Sequence, residues 1–225
     1  MIKGILLKMV GISTVTKQFL SKAAGLEHSI YLLQKRKRLI NKTPSILSSN
    51  CNGSIILHDM GCRYNSPTVN LFFTPTDFIK LLKEPEYYLK VVPEEIHISG
   101  ITYPVGSLDD IRVYFMHYDS FEAARNKWLE RSQRVNFNNM YIIMTERDGC
   151  TYENLEEFDS LHYKNKIVFT SRPYPEFKSS YYIPGSEKGK EVGILSDLKP
   201  GILQRRWLDD FDYVRWLNEG MGQVV

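Results

Sequence analysis

The chain has 225 residues and a formal net charge of +3, with 43% hydrophobic and 24% charged residues, which is ordinary for a soluble globular protein of one or two domains. No apolar run approaches the roughly 18 residues of a membrane-spanning helix, so no such helix is predicted. The three cysteines cannot all pair within one chain, as is typical of a reducing compartment. A cytoplasmic protein is therefore predicted.

The first 42 residues are strongly basic. They hold nine Lys or Arg residues against one acid, Glu27, which leaves a net charge of −5 on the remainder. Apolar residues recur there at spacings of three and four, which predicts a basic amphipathic helix over residues 13–42. Such a helix suits the anionic inner face of a membrane, and peripheral attachment is the partner prediction. Nucleic acid is a rival that we do not expect, and a solvated helix without a partner is the third reading.

Residues 43–225 are predicted to form a single α/β domain. Its first strand begins at Ile46-Leu47, while Ser54 to His58 forms either a helix or an extended segment. A helix is predicted over Thr76–Lys83. Three short strands or extended pieces are predicted next, over residues 87–92, 97–104 and 111–115.

Beyond residue 110, strand and helix patterns alternate. Ser120 is a natural N-cap for a helix that reaches Arg131. The strands are predicted over 140–144 and 166–170, with a helix over 152–161 between them. This alternation predicts a mixed or mostly parallel sheet with helices on both faces. The aromatic residues of the tail predict a terminal helix or a partner surface; they are Trp207, Phe211, Tyr213 and Trp216.

Small, polar and nucleophilic side chains follow the first strand directly, in the stretch from Ser48 to Gly53. A buried polar group without a partner costs about 1–3 kcal/mol, so this composition is hard to explain as core packing. The carboxyl edge of an open α/β sheet is where ligands normally bind. Cys51 is a candidate nucleophile, and Ser48 or Ser49 are alternatives that lack a G-x-S-x-G elbow. An inert cysteine in a functional loop is the other reading.

Two histidine clusters could supply a general base. His58 is followed by Asp59, and His117 follows a predicted strand. A neutral His near pH 7 is suited to deprotonating a sugar hydroxyl, and a structural histidine is the alternative in each case. The spacing of these residues matches no recognised zinc pattern, so no metal is predicted.

The predicted substrate-binding residues fall into two groups. The first consists of side chains that could orient a substrate, namely Ser49, Asn50, Asn65, Ser66 and Asn70. The second consists of Lys127, Arg131 and Arg134, which share one face of the predicted helix and could hold a phosphate or a pyrophosphate. A solvated face paired with Glu130 or Glu122 is the alternative for these cations.

Six short motifs together resemble a bacterial family, and Phe169-Thr170 followed by Tyr174 also fits, so the resemblance runs from about residue 45 to about residue 182. They are Ser49-Asn50-Cys51-x-Gly53, His58-Asp59-x-Gly61, the run from Tyr64 to Phe72, Tyr103-Pro104-Val105-Gly106, His117-Tyr118 and Lys127-Trp128-x-x-Arg131. The family is catalogued as domain of unknown function 1919 and is usually labelled an exopolysaccharide biosynthesis protein. The resemblance implies an α/β fold and a setting in capsule or exopolysaccharide clusters, and it brings no assignment of catalytic residues.

The leading hypothesis is a transferase that acts on a cell-surface or exopolysaccharide precursor, free or lipid-linked. Acyl transfer to a sugar, with acetyl-CoA as the donor, is favoured because a strand ending in Ser-Asn-Cys offers a nucleophile or an oxyanion site. A glycosyltransferase that uses a nucleotide sugar is the first alternative. A non-catalytic partner in a polysaccharide-assembly complex is the second.

Overall fold

The structure is a computed structural model that describes residues 14–201 and 203–220. Its helices along this part of the chain are α1 (Thr14–Arg38), α2 (Asn52–Met60), α3 (Pro75–Lys83), α4 (Pro85–Tyr88), α5 (Phe121–Ser132), α6 (Tyr152–Ser160) and α7 (Tyr213–Glu219). Its strands are β1 (Ser45–Ser48), β2 (Glu94–Ile96), β3 (Val105–Leu108), β4 (Ile111–Tyr114), β5 (Met140–Thr145), β6 (Lys166–Thr170), β7 (Ser180–Tyr182), β8 (Glu187–Lys188) and β9 (Glu191–Val192). Short 3₁₀ turns lie at Phe137–Asn139 and Trp207–Asp210.

Four strands form a parallel sheet in the order β1, β5, β6, β7. Every residue of β1 and β6 is buried, as is nearly all of β5. Strands that are covered on both faces carry such near-continuous apolar runs. The predicted α/β class, with a parallel sheet and helices on both faces, is therefore confirmed.

The two faces of this sheet lie in separate hydrophobic cores. On one face, Leu47 and Met144 pack with residues of α3, α5 and α6, including Trp128. On the other face, Ile46 and Ile143 pack with α2 and α7, together with the segment that leads into α7. The alternation of side chains along each strand directs neighbouring residues into opposite cores.

A smaller antiparallel sheet of β2, β3 and β4 packs beside the first core. The expected extended piece over residues 87–92 is wrong, because α4 and a turn occupy this stretch. Pro85 stands at the start of α4, where its missing N–H costs no hydrogen bond, and Tyr88 is buried. Residues 97–104 contain no strand either, because β2 ends just before them and β3 begins just after them.

The remaining expectations for individual elements are confirmed. The ambiguous stretch at Ser54 to His58 belongs to α2. Ser120 caps α5, because its side chain accepts a hydrogen bond from the backbone N–H of Ala123. The tail forms an aromatic-anchored helix, with Tyr213 and Trp216 fully buried.

The helix predicted over residues 13–42 is observed over Thr14–Arg38 as α1, so it ends four residues early, and residues 1–13 of the predicted basic segment lie outside the described residues. α1 packs against α2 and the C-terminal segment. Arg36 Nε donates to the backbone oxygen of Asp59 at 2.6 Å, and Arg38 pairs with Asp212 at 2.9 Å. Among the described helices, none combines the length and apolar character that crossing a bilayer requires.

Candidate functional site

The parallel sheet has a topological switch point between its neighbouring strands β1 and β5. The helix that follows β1, which is α2, packs on one face of the sheet, whereas α6, which follows β5, packs on the other. The chain thus leaves the two carboxyl ends in opposite directions, and we call the edge between them the crevice, because a switch point of this kind is where open α/β sheets form one. Ligands of open α/β sheets bind in crevices of this kind.

One wall of this crevice is the turn between β1 and α2. Asn50 Nδ2 and Asn52 Nδ2 both donate to Thr145 Oγ1 at the end of β5, at 3.0 and 3.2 Å. Asn50 Oδ1 accepts the backbone N–H of Asn52 at 3.1 Å. These bonds join the turn to the neighbouring strand and hold the first turn of α2 at the crevice.

Glu146, the residue after β5, is a buried carboxylate at the same edge that the sequence analysis missed. It accepts the backbone N–H of Ser171 at 2.5 Å and the hydroxyl of Tyr174 at 2.7 Å. Its position in the sequence could have identified it, because an acid that directly follows a buried strand lies at the carboxyl edge of the sheet.

Cys51 lies at the N-cap of α2, with Sγ 3.8 Å from the backbone oxygen of Leu71. Burial raises the pKa of this thiol, and backbone hydrogen bonds oppose that effect only in part. Because the thiolate is the reactive form, Cys51 is a neutral thiol near pH 7. The geometry therefore suits Cys51 as a hydrogen-bond donor better than as a free nucleophile.

All three cysteines are expected to react slowly with iodoacetamide at pH 7.5. Burial raises the pKa of Cys51 and of Cys62, and it raises that of Cys150 to about 12, with help from the nearby carboxylate of Glu146. Mass spectrometry of the intact protein should show alkylation at least about tenfold slower than in the urea-unfolded chain. Rapid alkylation of Cys51 alone in the folded protein would contradict this and would identify it as an activated thiol.

The structure separates the two predicted bases. The side chain of His58 is 74% exposed and lies in the last turn of α2, seven residues or about 10 Å along the helix axis from Cys51. His117 follows β4 of the antiparallel sheet, and its backbone N–H donates to the backbone oxygen of Asn70 at 3.3 Å. Asn70 precedes Leu71, whose backbone oxygen contacts Cys51, so the backbone of His117 lies near the turn of Asn50 and Cys51, whereas His58 does not.

Asp59 also lies at the far end of α2. Its buried carboxylate accepts a hydrogen bond from Arg206 Nη2, and the same guanidinium pairs with Asp209 at 3.2 Å. Lys35 Nζ is 3.6 Å from Asp209. Asp59 therefore belongs to a buried ion network that connects α1, α2 and the C-terminal segment, away from the crevice.

The loop before α3 runs along the free edge of β1. Thr68 Oγ1 accepts the backbone N–H of Ser48 at 3.0 Å and donates to the backbone oxygen of Ile46 at 3.2 Å. The buried Ser66 hydroxyl shares a hydrogen bond with Thr68 at 2.9 Å. Thr68 thus satisfies backbone groups of an edge strand that would otherwise be unpaired, and Ser66 supports Thr68.

The other two polar residues predicted for this region differ in their surroundings. Ser49 is buried, and its backbone N–H and oxygen continue the ladder by bonding Ile143 and Phe73. Asn65 is partly exposed on the loop beside Ser66. Neither side chain has a hydrogen bond within the described part of the chain.

The three predicted cations have different partners. Lys127 Nζ binds Glu130 at 2.7 Å, and Arg134 pairs with the other oxygen of the same carboxylate. Arg131 forms no ion pair with any described residue; its Nη1 donates to the Tyr118 hydroxyl at 2.9 Å, and its guanidinium lies 5.4 Å from the ring centre of Tyr64. Arg131 is therefore the cation of this face that is best suited to an anionic ligand.

An aromatic group flanks the crevice beside Leu71, the residue whose backbone contacts Cys51. The rings of Phe72 and Tyr114 stack at 4.5 Å with an interplanar angle of 9°. The ring of Tyr103 meets Phe72 edge-on at 6.4 Å. These rings are partly exposed, so they form an apolar surface next to the amide groups of the crevice.

Across residues 14–201 and 203–220, no three His, Cys, Asp or Glu side chains converge in a way that could hold a metal ion.

Comparison with known proteins shows similarity over most of the chain. The model of a family described as "Domain of unknown function (DUF1919)" matches residues 24–218, a span that contains the whole crevice. A Haemophilus influenzae protein (strain ATCC 51907 / DSM 11121 / KW20 / Rd), described as an uncharacterized protein, is 42% identical over 183 residues. That alignment covers 81% of this chain and 88% of the relative.

Proposed function

We propose a function for this chain, which belongs to the family described as domain of unknown function (DUF1919). The proposed function is that of a transferase that modifies a sugar hydroxyl of a cell-surface polysaccharide precursor. The transferred group is an acyl group, with acetyl-CoA as the donor. The choice of a polysaccharide precursor as substrate follows the label of exopolysaccharide biosynthesis that the family resembled by the sequence motifs usually carries, and it is part of the proposal.

The observation that carries the proposal is the crevice at the switch point between β1 and β5. The turn after β1 places Asn50 and Cys51 at this edge, and a backbone hydrogen bond to Asn70 brings His117 to the loop whose next residue, Leu71, contacts Cys51. Small-molecule sites combine an apolar wall with a few polar groups that orient the ligand. The stacked rings of Phe72 and Tyr114 supply the apolar wall, which suits the C–H face of a sugar.

The reaction is direct acyl transfer. His117 takes the proton of the sugar hydroxyl, the sugar oxygen forms an ester bond with the acyl carbon, and the thioester C–S bond breaks. The proton ends on the thiol of coenzyme A, so atoms and charge balance. The raised pKa of Cys51 favours this route over a covalent acyl-enzyme, and the second N–H of the Asn50 side-chain amide, which Thr145 does not take, acts as a hydrogen-bond donor.

Arg131 is the proposed contact for the phosphate groups of the donor. Its guanidinium has no carboxylate partner in the described chain and is positioned by the hydroxyl of Tyr118. Guanidinium groups recognise phosphate through paired hydrogen bonds. A nucleotide sugar also carries a pyrophosphate, so glycosyl transfer is the alternative that the same observation favours.

The two histidines provide a matched pair of variants, since both are exposed and only His117 lies at the crevice. We expect His117→Asn to lower acyl transfer by about 10²–10⁴-fold, which is the usual contribution of a general base. His58→Asn should retain wild-type activity. The readout is the O-acetyl content of surface polysaccharide in a deletion strain complemented with each variant, with protein levels matched.

Ligand-dependent thermal stabilisation identifies the donor independently, because a ligand that binds only the folded state raises its stability. We expect acetyl-CoA to raise the melting temperature of the wild type and to have a reduced effect on Arg131→Gln. A shift with a nucleotide sugar alone would replace acyl transfer by glycosyl transfer. Two results together would favour a non-catalytic assembly partner instead: polysaccharide with wild-type O-acetyl content from His117→Asn, and a melting temperature that neither donor raises.

A further inference from the structure

Helix α1 presents an apolar row to solvent. Leu26 is 65% exposed, Ile30 is 46% exposed and Leu33 is 53% exposed. Their spacings of four and three residues put them on one face of the helix, and Lys37 continues the same row. None of the three apolar side chains belongs to either hydrophobic core.

The opposite face of α1 is polar and faces the body of the protein. Glu27 forms two hydrogen bonds with the guanidinium of Arg205, one of them at 2.9 Å, and Lys35 is buried beside Asp209. A surface helix normally turns its apolar stripe towards the core and its charges outwards. α1 does the reverse over its described side chains, so this apolar row is available to something outside the fold.

A second copy of the chain fits this row poorly. The three side chains expose on the order of 300 Å² together, well below the ~800 Å² per partner of a standard protein interface. In a symmetric contact, the second copy would also bring its own Lys37 to this row, and the two lysines would repel. The acid of this helix, Glu27, could not pair with them because Arg205 already binds it.

The charges near this row favour an anionic surface. The last turn of α1 carries four consecutive cations, Lys35 to Arg38, and Lys37 among them is exposed in line with the apolar row. A helix that combines an apolar row with cations lies in the plane of a membrane interface, with the apolar side chains among the headgroups.

We propose that α1 attaches the protein to an anionic lipid surface through Leu26, Ile30 and Leu33, with Lys37 contacting the headgroups. The ion pairs on the other face hold α1 against the body, so the helix binds lipid as part of the folded protein. This surface lies on α1 and is independent of the proposed transfer reaction.

The test is co-sedimentation of the full chain with vesicles. The probes are vesicles of phosphatidylcholine alone and of phosphatidylcholine with about 30% phosphatidylglycerol, the latter to supply anionic headgroups. The triple variant Leu26→Gln/Ile30→Gln/Leu33→Gln should bind the anionic vesicles more than about tenfold more weakly than the wild type. The control Val92→Gln/Phe137→Gln/Ile194→Gln replaces comparably exposed apolar side chains elsewhere and should bind as the wild type does.

A second variant reports the environment of the row directly. The chain has three tryptophans of its own, so the signal is the emission that Leu33→Trp adds to that of the wild type. This added emission should shift to shorter wavelength when anionic vesicles are present, and iodide should quench it less. Failure of the wild type to bind anionic vesicles, or equal binding by the first triple variant, would overturn the proposal. Emission that is already blue-shifted and protected without vesicles would overturn it too, because another segment or a second copy would then cover the row.

Discussion

Arg206→Leu is expected to lower the free energy of unfolding by about 3–5 kcal/mol, the usual cost of removing one partner of a buried ion pair. Arg206 contacts the carboxylates of both Asp59 and Asp209, whose side chains are almost fully buried. In the variant, Lys35 alone remains beside Asp209, at 3.6 Å. Urea denaturation monitored by circular dichroism measures the loss.

The matched control is Arg215→Leu. Arg215 pairs with Glu219 at 3.1 Å within α7, and both side chains are exposed to solvent. An exposed pair contributes about 0–1 kcal/mol, so this variant should unfold close to the wild type. Equal losses in the two variants would show that the Arg206 network is no more stabilising than a surface pair.

Acid should narrow the difference between the wild type and Arg206→Leu. Burial by itself raises the pKa of Asp209, but hydrogen bonds and charge from Arg206, with the charge of Lys35, outweigh it and hold the pKa below its usual range. A carboxyl with a lowered folded-state pKa stabilises the protein above its unfolded pKa of about 4 and loses that contribution as the pH falls further. Unfolding free energies measured between pH 7 and pH 3 should therefore converge.

Gly53→Ala is expected to destabilise the protein by about 1–3 kcal/mol, because the packing of α2 on β1 leaves no room for a methyl group. A Cβ at this position would lie 2.8 Å from Ile46 Cγ2 and 2.8 Å from Ser48 Cβ, both in the strand below. The helix would have to move away from the sheet. Since Asn50 and Asn52 hold the start of α2 to Thr145, the crevice would be distorted as well.

Gly25→Ala provides a control of opposite sign. Gly25 also lies within a helix, and a Cβ there would meet nothing within 4 Å. Ala exceeds Gly in helix propensity by about 0.5–1 kcal/mol, so this variant should be slightly more stable than the wild type. Urea denaturation of both variants tests the pair, and a neutral Gly53→Ala would contradict the close approach of α2 to β1.

Local patterns in the sequence were sufficient to predict most elements of this fold. The apolar runs of β5 and β6 and the helical spacing of α6 predicted a parallel α/β sheet, because side-chain periodicity follows directly from strand and helix geometry. The polar stretch from Ser48 to Gly53 was likewise predicted to lie at a carboxyl edge, since it follows a buried strand.

The composition of the crevice depended on information that no local pattern holds. The stretch from Ser54 to His58 was compatible with a helix or an extended segment, and only the helix carries His58 to the far end of α2. Helical spacing also could not predict the partners of the three cations. In the structure, Glu130 pairs with Lys127 and Arg134, whereas Arg131 binds the Tyr118 hydroxyl. Glu146 became a candidate only when Ser171 and Tyr174 were seen to bind it.

Short-range backbone geometry was enough to predict the class of the fold, the order of the elements of the parallel sheet and the edge at which polar groups collect. The tertiary structure alone decided which residues share that edge and which face of α1 meets the body. The helical spacing of Leu26, Ile30 and Leu33 predicts that they share one face of α1, but it does not say whether that face meets the body. Ion pairs to residues almost 180 positions away, such as Glu27 with Arg205, hold the opposite face against the body and leave this one towards solvent.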